Sequence, residues 1–143
     1  MYDDARMEMV EKLVSSGYIK TDEVRQAMEK VPRHLFVPEE MQRYSHADTP
    51  IPVGGGGQTI SAPHMVGMML ELMELEKGMT VLEIGCGSGY HAALAAYLVG
   101  AEGQVYTIDI VEELTDNAKK HIAQVGLHDR IEVIFADGSK GLP

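Results

Sequence analysis

The 143-residue sequence contains no tryptophan, a single cysteine and few basic residues, and these shortages exclude several classes of protein. Cys86 has no second cysteine with which to form a disulfide within the chain or to share a thiolate metal site. Twelve Lys and Arg against 22 Asp and Glu give a formal net charge of −10, which argues against a basic surface for nucleic acid. The sequence also lacks an apolar run of about 18 residues, so it predicts no membrane-spanning helix.

The start of the chain differs from a secretory signal peptide. Asp3, Asp4 and Glu8 stand where such a peptide has basic residues followed by an apolar stretch. A hydrophobic content of 45% and a charged content of 24% are typical of a globular protein. We therefore expect a soluble, cytoplasmic protein. No metal site is predicted, because His34 and His91 have no partners at metal-binding spacing.

The N-terminal part predicts two short amphipathic helices. Between residues 4 and 16, apolar side chains recur at helical spacing, namely Met7, Val10, Leu13 and Val14. Thr21 can cap a second helix, which Pro32 ends. We interpret residues 1–63 as an N-terminal helical extension followed by a binding loop.

Residues 32–63 predict little regular structure, because they contain five prolines and a run of glycines at 54–57. Long irregular segments inside compact domains are uncommon and often functional, so we interpret this one as a binding loop. A helix should then begin near Ser61, with Pro63 in its first turn, and end at Gly78. Its buried side is predicted to comprise Val66, Met69, Leu70 and Met73.

From residue 80 the pattern alternates between strand and helix. Strands are predicted at 80–84, 104–108 and 131–135, and helices at 90–99 and 112–125. This alternation predicts an α/β fold with a parallel sheet, helices on both faces and right-handed crossovers.

A glycine-rich loop connects the first of these strands to its helix. Gly85, Gly87 and Gly89 lie at the strand's carboxyl end, which is where ligands bind in open α/β sheets. Glu83 precedes the loop, and Asp109 follows the next strand. The combination resembles the first motif of class I methyltransferases.

A dinucleotide-binding unit is the alternative interpretation of this loop. GSGYHA at 87–92 fits the relaxed fingerprint that ends in alanine, and Asp109 lies at a suitable distance from it. Two features argue against this alternative: Glu83 stands two positions before the first glycine, and a long segment precedes the first strand.

Further blocks of sequence extend the resemblance to one family. PRHLFVP at 32–38, GQTISAPHM at 57–65, the glycine loop, DG at 137–138 and GLP at 141–143 are similar, in order and spacing, to protein-L-isoaspartate O-methyltransferases. The resemblance extends from about residue 4 to the end of the chain. The run QTISAP at 58–63 is its most specific part.

The resemblance implies a Rossmann-like class I methyltransferase fold, with residues 64–143 as the first half of the cofactor-binding domain. Because the family's sheet has further strands after the third, we expect a truncated chain. The implied reaction moves a methyl group from S-adenosylmethionine to the α-carboxylate of L-isoaspartyl residues in damaged proteins, leaving S-adenosylhomocysteine. Another class I methyltransferase activity, and a cofactor-binding protein without catalysis, stay open as alternatives. The complete protein is expected to be a monomer that requires neither nucleic acid nor a membrane.

The same resemblance assigns Ser61 to the active site and a larger set of residues to the cofactor. Asp109 would accept hydrogen bonds from both ribose hydroxyls, since a carboxylate has two acceptor oxygens and no donor. Asp137 and Gly138 would lie against the adenine. The complete cofactor set is Gln58, Thr59, Ile60, His64, Glu83, Gly85, Gly87, Gly89, Asp109, Ile110, Asp137 and Gly138.

Structural alternatives exist for several of these residues. Ser61, Asp109 and Asp137 could each cap a helix. Thr59 could satisfy only loop backbone, and His64 could be a packing residue in the first turn of its helix. Glu83 could orient the loop rather than contact the cofactor.

Overall fold

The computed structural model describes residues 2–54 and 56–142. Gly55 of the predicted glycine run and Pro143 of the last sequence block lie outside the described residues. The helices are α1 (Tyr2–Ser15), α2 (Asp22–Lys30), α3 (Pro63–Met73), α4 (Tyr90–Val99) and α5 (Glu112–Gln124). The strands are β1 (Ile51–Gly54), β2 (Gln58–Ile60), β3 (Thr80–Ile84), β4 (Gln104–Asp109) and β5 (Ile131–Phe135). Short 3-10 turns occupy Arg33–Phe36, Glu39–Tyr44 and Gly138–Lys140.

The two N-terminal helices form near the predicted positions, although Met7 of the predicted apolar face is 46% exposed. Contacts from α3 hold the start of α2. The Thr21 hydroxyl oxygen accepts a hydrogen bond from the Val24 N–H at 3.3 Å, which caps α2. Glu71 on α3 in turn accepts hydrogen bonds from the Thr21 N–H at 2.8 Å and from the Thr21 hydroxyl at 2.9 Å. The Lys20 N–H donates to the same carboxylate.

The prediction of little regular structure between residues 32 and 63 is wrong in part. Strands β1 and β2 form an antiparallel ribbon in which Ile51 pairs with Ile60 and Pro52 with Thr59. The strands are short, and only Ile51, Val53 and Ile60 of them are buried. A period of two is hard to recognise over so few residues, and Pro52 in the middle of β1 argues against a strand.

Helix α3 differs from its prediction in its end and in its buried face. It stops at Met73, and Glu74 turns the chain with a φ of 50°. Met69 and Met73 are 43% and 44% exposed, whereas Gly67 is buried and faces Ile19. Much of this helix is apolar on every side, so hydrophobic spacing does not identify which face packs.

Strands β3, β4 and β5 form the predicted parallel sheet, in the order β3-β4-β5. Val81 pairs with Val105, and Val105 pairs with Ile131, so the three strands are in register along a buried row. Strand β3 lies at one edge of this sheet, where Leu82 and Ile84 are exposed.

The N-terminal helices share one hydrophobic core with α4 and the sheet. Met28 on α2, Leu94 on α4 and Val105 on β4 are buried in the same cluster. The division into segments 1–63 and 64–143 stays a prediction. No helix in the part of the chain that the structure describes is long and apolar enough to cross a membrane.

Candidate functional site

A cavity of about 150 Å³ lies where β2 faces the carboxyl ends of β3 and β4. Small-molecule sites commonly measure about 300–1,000 Å³, so this cavity can enclose only part of a nucleoside-sized ligand. The rest of such a ligand would lie on the open surface beside the strand ends. Eight residues predicted from the sequence line the cavity: Gln58, Thr59, Ile60, Ser61, Glu83, Gly85, Gly87 and Asp109.

The glycine loop presents bare backbone to open space. Gly85 and Gly87 have φ values of +92° and +51°, a region that residues with side chains rarely adopt. A Cβ atom added at either position would meet no atom within 4 Å. A ligand can therefore approach this backbone closely, as the resemblance requires. The Gly85 N–H donates to the Ile108 carbonyl at 2.7 Å, which anchors the loop to β4.

Gly89 differs from Gly85 and Gly87 because it packs against a neighbouring helix. A Cβ atom there would lie 3.2 Å from the Cβ of Ala118 on α5, which is closer than nine in ten real Cβ contacts. The absence of a side chain at Gly89 thus lets the start of α4 approach α5. This residue does not line the cavity.

Asp109 holds the loop from the end of β4. One carboxylate oxygen accepts from the Gly87 N–H at 3.3 Å, and the other accepts from the Val111 N–H at 3.0 Å. The N-cap of α5 is Val111, without a side-chain capping bond, so the alternative that Asp109 is that cap is wrong. A carboxylate has about four acceptor sites, so both oxygens retain capacity for ribose hydroxyls.

Glu83 connects β3 to β4 beneath the loop. The Thr107 hydroxyl donates to its carboxylate at 2.5 Å. Burial raises the pKa of Glu83 to about 7; the Thr107 hydrogen bond opposes this shift, and the Asp109 charge adds to it. This contact holds the Glu83 side chain between the ends of β3 and β4, where it also lines the cavity.

Ser61 and Thr59 reach the cavity from the other side. Thr59 lies within β2, and Ser61 lies between β2 and α3. Ala62 is the N-cap of α3 and makes no side-chain capping bond, so the alternative that Ser61 caps this helix is wrong. The Ser61 carbonyl accepts from Arg33 Nη2 at 2.9 Å, which fixes its main chain.

His64 and Ile110 lie outside the cavity lining. The His64 N–H and its ring Nδ1 both lie 2.9 Å from Oδ1 of Asp48, so this histidine is held in the first turn of α3. Ile110 follows β4 and is 67% exposed.

Asp137 and Gly138 follow β5 and are also outside the cavity lining. Oδ1 of Asp137 accepts hydrogen bonds from the N–H of Ser139 at 3.0 Å and from its hydroxyl at 2.7 Å. Asp137 therefore caps the 3-10 turn Gly138–Lys140, as its structural alternative predicted. A Cβ at Gly138 would lie 2.7 Å from Cγ2 of Ile84, so only glycine lets the chain pass there.

Sequence reasoning missed several groups around the cavity. Cys86, Ser88, Tyr90 and His91 complete its lining. Burial raises the pKa of Cys86 to about 12, helped by the charges of Asp109 and Glu83, so the thiol is not an activated nucleophile. Burial lowers the pKa of His91 to about 4, so its ring is neutral near pH 7. The sequence signal that could have identified Tyr90 and His91 is their position directly after the glycine loop.

Comparison with known proteins identifies the family that this chain resembles. Residues 4–143 match the family model described as protein-L-isoaspartate(D-aspartate) O-methyltransferase. A protein-L-isoaspartate O-methyltransferase from Ignicoccus hospitalis is 51% identical over 141 residues, covering 99% of this chain and 66% of the relative. A relative from Thermococcus onnurineus with the same name is 54% identical over 134 residues, covering 94% and 60%.

Solved structures agree with the sequence comparisons. One protein-L-isoaspartate O-methyltransferase superposes with a TM-score of 0.86 at 28% identity, over 96% of this chain and 44% of that chain. A Plasmodium falciparum protein assigned to the same enzyme class, in complex with S-adenosyl-L-homocysteine, has a TM-score of 0.81 at 26% identity, over 92% and 62%.

The chain spans about 60–66% of the length of the curated relatives named above. The predicted Rossmann-like methyltransferase fold is confirmed by the parallel sheet and by the two superpositions. The chain belongs to the protein-L-isoaspartate(D-aspartate) O-methyltransferase family.

Proposed function

We propose that the protein transfers a methyl group from S-adenosylmethionine to the α-carboxylate of L-isoaspartyl residues in damaged proteins. S-adenosylhomocysteine would be the product. The observation that carries this proposal is the cavity in which Gln58 to Ser61 face the bare glycine loop and Asp109. Family membership and the S-adenosyl-L-homocysteine complex of the Plasmodium falciparum relative support the same activity.

The residues present fit this cofactor. The loop at Gly85 and Gly87 leaves room beside its backbone, and Asp109 retains acceptor sites for two ribose hydroxyls. The cofactor supplies a methyl group carried on a sulfonium sulfur. We assign its binding to residues 58–60, the glycine loop, Glu83 and Asp109, with Ile110, Asp137 and Gly138 towards the adenine and His64 beside residues 58–60.

The chemistry of the lining suits a carboxylate acceptor. A carboxyl group with an ordinary pKa near 4 is already ionised at neutral pH, so no strong base is needed. Consistent with that, the Cys86 thiol stays protonated and the His91 ring is neutral. Rate enhancement would then come from alignment of the acceptor oxygen with the methyl group. We assign the Ser61 hydroxyl to holding the acceptor carboxylate in line.

We further propose that the protein works in the cytoplasm as a monomer and does not bind nucleic acid. The net charge of −10 disfavours a phosphate backbone as a partner. A free, buried Cys86 is compatible with a reducing compartment.

Titration calorimetry tests the cofactor assignment. S-adenosylhomocysteine should bind, and NADH should bind at least tenfold more weakly or not at all. NADH binding with equal or better affinity would contradict the proposal and favour the dinucleotide-binding alternative.

A further inference from the structure

Arg33 is a fully buried arginine at the base of the β1–β2 ribbon. Its side chain is 0% exposed. Nε donates to the Ser45 carbonyl at 2.6 Å, and Nη2 donates to the Ser61 carbonyl at 2.9 Å. Ser45 precedes the ribbon and Ser61 follows it, so a single guanidinium ties together both ends of the segment that carries residues 58–60.

The same guanidinium contacts the opposite wall of the cavity. Its Cζ lies 5.1 Å from the centre of the Tyr90 ring, which lines the cavity at the start of α4. Burial raises the pKa of the Tyr90 phenol, and the nearby Arg33 charge opposes this shift, so Arg33 packs against a neutral ring. Arg33 therefore joins the ribbon to the helix that follows the glycine loop.

Arg33 differs from an arginine held in a structural ion pair. Among residues 2–54 and 56–142, Arg33 forms no salt bridge with a carboxylate. A buried cation without such a partner is costly, and an apolar side chain of similar volume could fill the space at lower cost. What only the guanidinium supplies is a planar set of donors that reaches two carbonyls at once.

We propose that Arg33 is a positioning residue that closes the base of the β1–β2 ribbon and so fixes Ser61 over the cofactor cavity. The role in catalysis rests on the proposed methyltransferase function. Arg33 does not line the cavity, so its effect passes through the main chain at Ser61 and through Tyr90.

Arg6 provides a matched control. It is 9% exposed, its Nε donates to the Glu29 carbonyl at 2.6 Å, and its Nη2 donates to Asp3 at 2.9 Å. Like Arg33 it is buried and donates from Nε to a carbonyl, but it also pairs with a carboxylate, and neither bond reaches the ribbon or Ser61.

The test compares Arg33→Lys, Arg33→Met and Arg6→Lys in the full-length protein. An ammonium cannot reach both carbonyls, and methionine fills the space without donating. Both Arg33 variants should raise amide hydrogen exchange at residues 58–62 at least roughly tenfold and lower kcat for an isoaspartyl peptide roughly tenfold or more, with a smaller change in KM. Arg6→Lys should leave exchange at 58–62 within about twofold of wild type.

Three results would overturn the proposal. Exchange at 58–62 could be unchanged in both Arg33 variants, Arg6→Lys could raise it equally, or both Arg33 variants could fail to fold while Arg6→Lys folds, which would make Arg33 a determinant of the fold. If wild-type protein transfers no methyl group, the proposed function fails, whereas the exchange measurement still decides whether Arg33 fixes the ribbon.

Discussion

The carboxylate of Asp109 accepts a hydrogen bond from the backbone N–H of Gly87 at 3.3 Å, so the end of β4 holds the loop that follows β3. The two strands are parallel neighbours, which brings their carboxyl ends together. A single acid thus both shapes the loop and faces the cavity.

Replacing Asp109 should therefore weaken cofactor binding in two ways. Asp109→Ala removes the acceptors for the ribose hydroxyls and releases the Gly87 N–H. Losing hydrogen bonds to a charged group costs about 1.5–3 kcal/mol, so the dissociation constant of S-adenosylhomocysteine should rise at least roughly tenfold. Asp109→Asn should have a milder effect. Calorimetry measures both, with exposed Asp116→Ala as the control. Unchanged affinity in Asp109→Ala, together with a lower melting temperature, would leave Asp109 with a structural role only.

Ser61→Ala should lower methyl transfer to an isoaspartyl peptide by roughly ten- to a thousandfold, the scale of losing one aligned donor. S-adenosylhomocysteine affinity should change little, and Ser61→Thr should fall between wild type and alanine because it keeps the hydroxyl but crowds the site. Exposed Ser16→Ala is the matched control. Equal rates for Ser61→Ala and wild type at saturating cofactor would remove Ser61 from the mechanism.

Glu83 should make the stability of the protein depend on pH. Its folded pKa is raised to about 7 from an ordinary value of 4.5, so its protonated form favours the folded state. This contribution to the unfolding free energy is fully present below about pH 4.5 and is lost as the pH rises through about 7. The total loss is roughly 3 kcal/mol. Glu83→Gln removes this contribution, so its unfolding free energy should fall less between pH 5 and pH 8 than that of wild type. Parallel pH profiles in urea unfolding would show that the Glu83 carboxyl titrates normally.

Glu71 should matter for stability but not for cofactor binding. Glu71→Ala removes the acceptor for the Thr21 N–H and hydroxyl at the start of α2. Because these groups are partly solvated, the unfolding free energy should fall by only about 1–2 kcal/mol. Exposed Glu76→Ala serves as the control. A weakened affinity for S-adenosylhomocysteine in Glu71→Ala, with unchanged stability, would contradict this assignment.

The sequence predicted the α/β part well because its signals are local and strong. Val81, Val105 and Ile131 lie in apolar runs bounded by turns, and the glycine loop stands between the first strand and its helix. Asp109 could be placed at the cavity because the carboxyl ends of adjacent parallel strands lie side by side.

The remaining features depend on contacts between distant residues. The β1–β2 ribbon depends on pairing between two short strands, and the buried face of α3 depends on the packing of Gly67 against Ile19. Hydrophobic spacing encodes neither contact. Arg33 sits in a block that the resemblance singled out, but its partners Ser45 and Ser61 are remote in sequence. No local pattern predicts that a charged side chain will be buried there.

Methyl transfer from labelled S-adenosylmethionine should be measured with two peptides of identical sequence, one with an L-isoaspartyl residue and one with ordinary aspartate. The full-length protein should label the isoaspartyl peptide, and unlabelled S-adenosylhomocysteine should suppress the reaction by competing for the same cavity. Little or no label should enter the aspartyl peptide. Equal labelling of the two peptides, or no labelling by protein that binds S-adenosylhomocysteine, would contradict the proposed isoaspartyl methyltransferase activity.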